Sequence, residues 1–278
     1  MEVGKLLYAT ASRQPSFSEV EGLLALRTLG LKEVILLHTT KAEDWAGRLA
    51  DYGSTSNTFI LSAFLISWLQ QRLADYGLTS KTLMVDGPIV PAILNAAHRE
   101  GVSLIAASLN RDKRRLLRGS ATTELLRAST LPVLILPEDA QASGSMEGGV
   151  FTHLVFATDW SSASEKALRY LLSLNLKTTT KTLEIVHVID KKLSVRDMHN
   201  LKYKLTESRK IFLDHGIDAE GHVYAGKPSE EIMLASRDYD ATCIVMGTTG
   251  KSHLKHLLSP SYSYRVAETS AIPTLVVP

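Results

Sequence analysis

Ala-Thr-Cys-Ile-Val-Met-Gly-Thr-Thr-Gly-Lys-Ser (residues 241–252), then Ser-Pro-Ser-Tyr-Ser-Tyr-Arg-Val-Ala-Glu-Thr-Ser (259–270) and Ile-Pro-Thr-Leu-Val-Val-Pro (272–278), is the stretch that decides the fold. Ala241–Met246 is a short apolar run without polar alternation, the pattern of a strand covered on both faces. Gly247 and Gly250 follow at once. Glycine lets the backbone turn sharply and lets a bound group come close, because no Cβ intervenes. Ser259 suits an N-cap and Pro260 the first helical position, so a helix is expected to begin there. Thr274–Val277 reads as a last buried strand. Strand, glycine loop and helix start is the arrangement by which open α/β sheets hold phosphate groups.

Outward from this stretch the chain alternates strands and helices. Strands are expected at Lys5–Thr10, Glu33–His38, Thr82–Val85, Val102–Ala107 and Val133–Leu136. Helical spacing of apolar residues predicts helices over Phe17–Leu29, Asn57–Tyr76 and Val90–Glu100. A small, polar, glycine-rich stretch from Glu138 to Gly149 reads as a linker. The order then starts again. Strands are expected at His153–Thr158, Leu183–Ile189 and Gly221–Ala225, with helices over Ser164–Leu174, Val195–Phe212 and Ser229–Arg237. Leu131–Pro137 matches Ile272–Pro278 at an offset of 141 residues, and at the same offset Gly119-Ser120 lies over Pro260-Ser261. Two landmarks at one offset imply an internal duplication. The expected fold class is α/β, with two similar doubly wound domains, each a five-stranded parallel sheet flanked by helices. The expected boundaries are 1–138, a linker at 139–150, and 151–278.

Composition narrows the function classes. A net charge of +2 over 278 residues gives no reason to expect nucleic acid or a polybasic membrane patch as a partner. The one cysteine, Cys243, cannot form an internal disulfide and reads as a small core residue in a reducing compartment. With no signal-peptide pattern at Met1–Lys5 and no long apolar run, a cytoplasmic location is expected.

Each half resembles a universal stress protein domain, and the whole resembles the tandem form of that family, whose fold is of the adenine nucleotide alpha hydrolase type. The family pattern is Gly-x2-Gly-x9-Gly-Ser/Thr after the fourth strand, with an Asp ending the first. The second half offers Gly247-x2-Gly250-x9-Pro260-Ser261 and Ala157-Thr158-Asp159, together with His187-Val188-Ile189-Asp190 and Gly226-Lys-Pro228. Members with this loop usually bind ATP. The resemblance therefore implies an ATP, ADP or AMP site in the second half, with Mg accompanying the nucleotide. Its residues would be Ala157, Asp159, Val188, Met246, Gly247, Gly250, Ser261, Tyr262 and Ser263. Asp159 would lie beside the adenosine, and Val188 and Met246 would line the adenine slot. Read without the resemblance, Asp159 is a cap for the helix that follows, and Val188 and Met246 are core. The family also pairs through its last strand, so a homodimer or an intrachain pseudo-dimer is expected, built from Val133–Leu136 and Thr274–Val277.

Two departures matter. Pro260 stands where the family has glycine and removes one N–H donor. In the first half Ala11 replaces the Asp, Thr39 the valine, and Ala106 and Leu109 the paired glycines, so that half reads as a degenerate copy. Other chemistries find little footing. Gly250-Lys251-Ser252 lacks the glycine a P-loop needs five residues earlier, where Val245 stands. No catalytic triad or thiolate zinc site is evident, and His253 and His256 read as a solvated helix face. The expected function is adenine-nucleotide binding in a stress-response setting, with slow hydrolysis or none. The alternative is a stress-response interaction protein that binds no nucleotide and works through its surfaces.

Overall fold

The computed structural model describes residues 2–10, 22–40, 66–108, 120–137, 149–190, 192–248 and 262–278. In the first half β1 is Lys5–Thr10, β2 Glu33–Thr40, β3 Thr79–Asp86, β4 Leu104–Ser108 and β5 Val133–Ile135, with helices α1 (Ile89–Glu100) and α2 (Ala121–Ala128). In the second half β6 is His153–Ala157, β7 Thr182–Ile189, β8 Ala219–Ala225, β9 Cys243–Gly247 and β10 Thr274–Val277. Its helices are α3 (Ser162–Ser173), α4 (Val195–Asp214), α5 (Pro228–Asp238) and α6 (Tyr262–Thr269). The expected strands all form, with ends shifted by a few residues.

The ten strands among the described residues belong to one sheet, in the order β3-β2-β1-β4-β5-β10-β9-β6-β7-β8. Every pairing within a half is parallel. The single antiparallel pairing joins β5 to β10, with Leu134 opposite Leu275. Those two leucines are equivalents under the 141-residue offset, so a pseudo-twofold axis passes between them. One face of the sheet carries a core shared by both halves. Leu6, Tyr8 and Leu36 of the first half lie in the same apolar cluster as Phe151, Phe156 and Phe212 of the second. The other face carries two clusters, one beneath α1 and α2 and one beneath α5. Helix α6 contributes to both: Tyr264 and Ala267 pack into the first half's cluster and Val266 into the second's.

The helices start where the sequence supplies acceptors for their free N–H groups. Ser194 and Asp197 form a capping box at α4. Ser161 caps α3 and Ser120 caps α2, each accepting from the amide three residues on. Helix α2 was not anticipated as a separate helix, being short and close to average in hydrophobicity. Of the expected Phe17–Leu29 helix, residues 17–21 lie outside the described residues, 22–24 are α-helical, and Ala25–Leu29 tighten into a 3-10 helix closed by Gly30 at φ 93°. Its buried residues, Leu26 and Leu29, are three apart, which suits three residues per turn. Of the expected Asn57–Tyr76 helix, residues 66–75 are described and helical, while Phe59, Leu61, Phe64 and Leu65 lie outside the described residues. So does most of the expected linker, as do His253 and His256.

Candidate functional site

In the second half β6, the first strand, sits between β7 and β9, and the chain leaves it in opposite directions. This is the switch point of an open sheet, where a crevice opens at the carboxyl ends of the strands. Ala157 ends β6 and Gly247 ends the adjacent β9. Asp159 follows β6 by two residues. Ala157, Val188 and Met246 share one apolar cluster on the α5 face, with Ala157 and Met246 buried and Val188 half-buried. Tyr262 opens α6 and is 51% exposed, whereas Ser263 beside it is buried. Gly250 and Ser261 lie outside the described residues, as do Ser259 and Pro260.

Asp159 does not cap α3; Ser161 does. Asp159 Oδ1 instead accepts from the Ser161 amide at 2.9 Å and from Ser164 Oγ at 3.0 Å, which fixes the carboxylate against the start of the helix. Burial opposes ionisation here, but the bonds from Ser161 and Ser164 outweigh it and hold the carboxyl below its usual range. An exposed, ionised acceptor at a strand's carboxyl end can take hydrogen bonds from a ribose or an amino group.

Gly247 has a packing reason to be glycine. A Cβ there would lie 2.2 Å from the Ala163 carbonyl oxygen, inside the first turn of α3. Its amide neighbour, Thr248, donates to the Val277 carbonyl at 2.8 Å, which extends the pairing of β9 with β10.

Sheet register corrects the comparison between the halves. Tyr8 pairs with Ala106, and Phe156 with Val245, while Ala106 pairs with Leu134 and Val245 with Leu275. Ala106 is thus the counterpart of Val245, and the residue at the Gly247 position is Ser108. The 141-residue offset holds from the helix start onward but not across the fourth strand, because the loops that follow β4 and β9 differ by two residues. Ala11 and Leu109 lie outside the described residues.

Trp160 was not foreseen. It has φ 56°, in the left-handed region that non-glycine residues rarely adopt. Its amide donates to Thr158 Oγ1 at 3.1 Å and its indole N–H to Ser208 Oγ at 3.1 Å. Its ring lies 4.5 Å from that of His187, centroid to centroid. His187 Nδ1 donates to the Thr158 carbonyl at 2.9 Å, since a carbonyl only accepts. These contacts hold the Thr158–Ser161 turn rigidly around Asp159. A positive φ outside glycine leaves no mark in the sequence. Among the described residues no group of three or more His, Cys, Asp or Glu could hold a metal ion. None of the described helices is long and apolar enough to cross a membrane.

A model of the universal stress protein family matches residues 151–278. The universal stress protein MJ0577 of Methanocaldococcus jannaschii is 29% identical over 157 residues, which span 46% of this chain and 95% of that protein. Aligned on its solved structure, the same protein is 32% identical over 46% of this chain and 96% of its own, with a TM-score of 0.37. The chain belongs to the universal stress protein family. A universal stress protein of Archaeoglobus fulgidus shares the whole architecture: 99% of this chain and 96% of that one superpose with a TM-score of 0.74 at 22% identity. YxiE of Bacillus subtilis, a further universal stress protein, is 31% identical over 87 residues, which span 31% of this chain and 54% of that one. Family membership supports a stress-response role.

Proposed function

We propose that this universal stress protein binds an adenine nucleotide in its second half, in the crevice at the carboxyl ends of β6 and β9. The observation that carries the reading is the placement of Asp159 and Gly247 at the ends of adjacent strands at the switch point. The apolar shelf of Ala157, Val188 and Met246 lies alongside. The ligand is ATP, ADP or AMP, with Mg accompanying the phosphates and hydrolysis slow or absent. Asp159 accepts from the ribose or the base, and the shelf covers one side of the adenine. Gly250, Ser261, Tyr262 and Ser263 belong to the phosphate end by the family motif. The donor lost at Pro260 lowers the reward for each further phosphate.

The test is direct. Protein purified without added nucleotide is denatured and the released small molecules are identified by mass. Titration calorimetry then measures ATP, ADP and AMP. Asp159→Ala should weaken binding at least about tenfold, the size of one hydrogen bond to a charged group. Absence of both retained and titratable nucleotide overturns the reading. Equal occupancy of both halves overturns its placement in the second.

A further inference from the structure

Among the described residues two that are not glycine have a positive φ, Trp160 at 56° and Asp240 at 47°. Aspartate visits this left-handed region more readily than most residues, so Asp240 needs little explanation. A tryptophan there is strained, whereas glycine would make the same turn freely. Strain of this kind persists only where surrounding contacts over-determine it.

Those contacts come from three elements. Ser208, buried in α4, accepts the indole N–H at 3.1 Å. Lys204, one turn earlier on α4, sets its ammonium 5.1 Å from the centre of the Trp160 ring. From β7, His187 lies against the same ring, 4.5 Å between centroids, and donates to the Thr158 carbonyl at 2.9 Å. Thr158, just past β6, accepts the Trp160 amide on Oγ1 at 3.1 Å. Asp159 sits in the middle of this arrangement, with Oδ1 accepting from the Ser161 amide at 2.9 Å and from Ser164 Oγ at 3.0 Å. The φ bond of Trp160 lies between Asp159 and that Ser161 amide. Relaxing the angle to an ordinary negative value would therefore move the carboxylate away from the groups that orient it. The indole is anchored to α4, and the backbone it holds in place carries Asp159.

We propose that Trp160 is a positioning residue of the second half's site: α4, acting through the indole, holds the Thr158–Ser161 turn in the conformation that presents the Asp159 carboxylate to the adenosine. Ser208 thereby contributes to binding from a buried position beneath the ring. The inference rests on the nucleotide reading given above and draws only on its adenosine end. Because the effect acts on Asp159 alone, it is the same for ATP and AMP.

A double-mutant cycle tests this. The full-length protein is titrated calorimetrically with ATP and with AMP as wild type, Trp160→Gly, Trp160→Phe and Ser208→Ala, and as each of these combined with Asp159→Ala. Trp160→Gly frees the turn and should weaken both nucleotides about fivefold, within the roughly tenfold that one bond to a charged group is worth. Trp160→Phe and Ser208→Ala each break the anchor to α4 and should weaken both about two- to threefold. None should exceed the loss caused by Asp159→Ala. Combined with Asp159→Ala all three should be silent, because the group they position is gone. A residue that only supports the fold would lower affinity equally in both backgrounds, and thermal midpoints of all variants record that effect separately. Nucleotide should also change the tryptophan emission of wild type, and Trp160→Phe should abolish the change. Equal losses with and without Asp159, or wild-type affinity in Trp160→Gly, overturn this inference and leave the nucleotide reading standing. A wild type that binds neither nucleotide overturns the functional reading, and this inference with it.

Discussion

Gly247→Ala tests whether the glycine motif serves packing as well as ligand approach. The added Cβ would sit 2.2 Å from the Ala163 carbonyl oxygen, 2.3 Å from the carbonyl carbon and 2.7 Å from the Ser164 nitrogen. All three are backbone atoms, so no side chain can swing aside. The end of β9 and the start of α3 must separate by about 1 Å to restore ordinary contact. Strand β9 is held on both sides, by β6 and by β10, and the helix start is held by Ser161 and Asp159. Overpacking of this kind costs about 1–3 kcal/mol. In a chain of this size each kcal/mol moves the thermal midpoint by about 2–4 °C, so a drop of roughly 2–12 °C is expected. The urea midpoint should fall with an unchanged slope. On the proposed nucleotide reading, affinity should fall as well, because the displaced start of α3 also fixes Asp159. Ser108→Gly, the reverse change at the matching position of the first half, should cost about 1–2 kcal/mol through chain entropy and loss of the buried side chain's contacts, with no clash. A Gly247→Ala variant with wild-type stability but lost binding would refute the packing argument and leave only a role in ligand approach.

Further outcomes follow from individual groups. Asp159 has a folded pKa below its usual value, so it stabilises the protein above that usual value and loses the contribution as pH falls through the depressed one. Below about pH 4 Asp159→Asn should therefore lose less stability than wild type on acidification, by under about 1 kcal/mol given the carboxyl's exposure; a steeper acid slope in the variant would contradict this. Cys243 is fully buried and its thiol is pushed up to about 12 by that burial, so a colour-forming thiol reagent at pH 8 should react only at the rate of unfolding. Prompt reaction in native buffer would show that β9 is open. Trp160→Phe should cost about 0.5–1.5 kcal/mol through loss of its bond to Ser208, and adding Ser208→Ala should cost little more. Full additivity in denaturant melts would mean that the bond contributes nothing.

Much of the architecture was legible in the sequence because strands buried on both faces leave apolar runs that need no partner to be recognised. Val133–Ile135, Cys243–Gly247 and Thr274–Val277 are of this kind. Repetition supplied the rest, since one half read as strand and helix supports the other. What the sequence could not show was register. Ala106 was aligned with Gly247 by an offset that holds at Pro132 and Pro273, but a two-residue difference in loop length puts Ser108 there instead. Hydrogen bonds count residues along a ladder, whereas an ungapped offset cannot detect where a loop has lengthened. The site was legible only as a list. That Ala157, Val188 and Met246 form one shelf depends on three strands meeting, and the turn around Asp159 depends on a left-handed Trp160 that no propensity would place there.

The duplication also lets the two halves diverge while keeping one interface. In a dimer of identical chains a twofold axis presents the same residue at both ends of the contact. In this chain Glu268 of α6 accepts from Ser120 and Thr123 at the start of α2, and its equivalent under the 141-residue offset is Arg127. A glutamate at both positions would face both helix starts. An arginine would leave both starts without the carboxylate that Ser120 and Thr123 now receive. Joining the copies in one chain frees the two positions to diverge, because Glu268 and Arg127 are separate residues under separate selection. The apolar contacts across the axis can stay matched, as Leu134 and Leu275 do, since packing demands the same volume from both sides. Charge carries no such demand. Such an interface is therefore expected to become asymmetric at its polar ends first, where one substitution reverses the sign of the charge set against a helix start, as Glu268 is against that of α2.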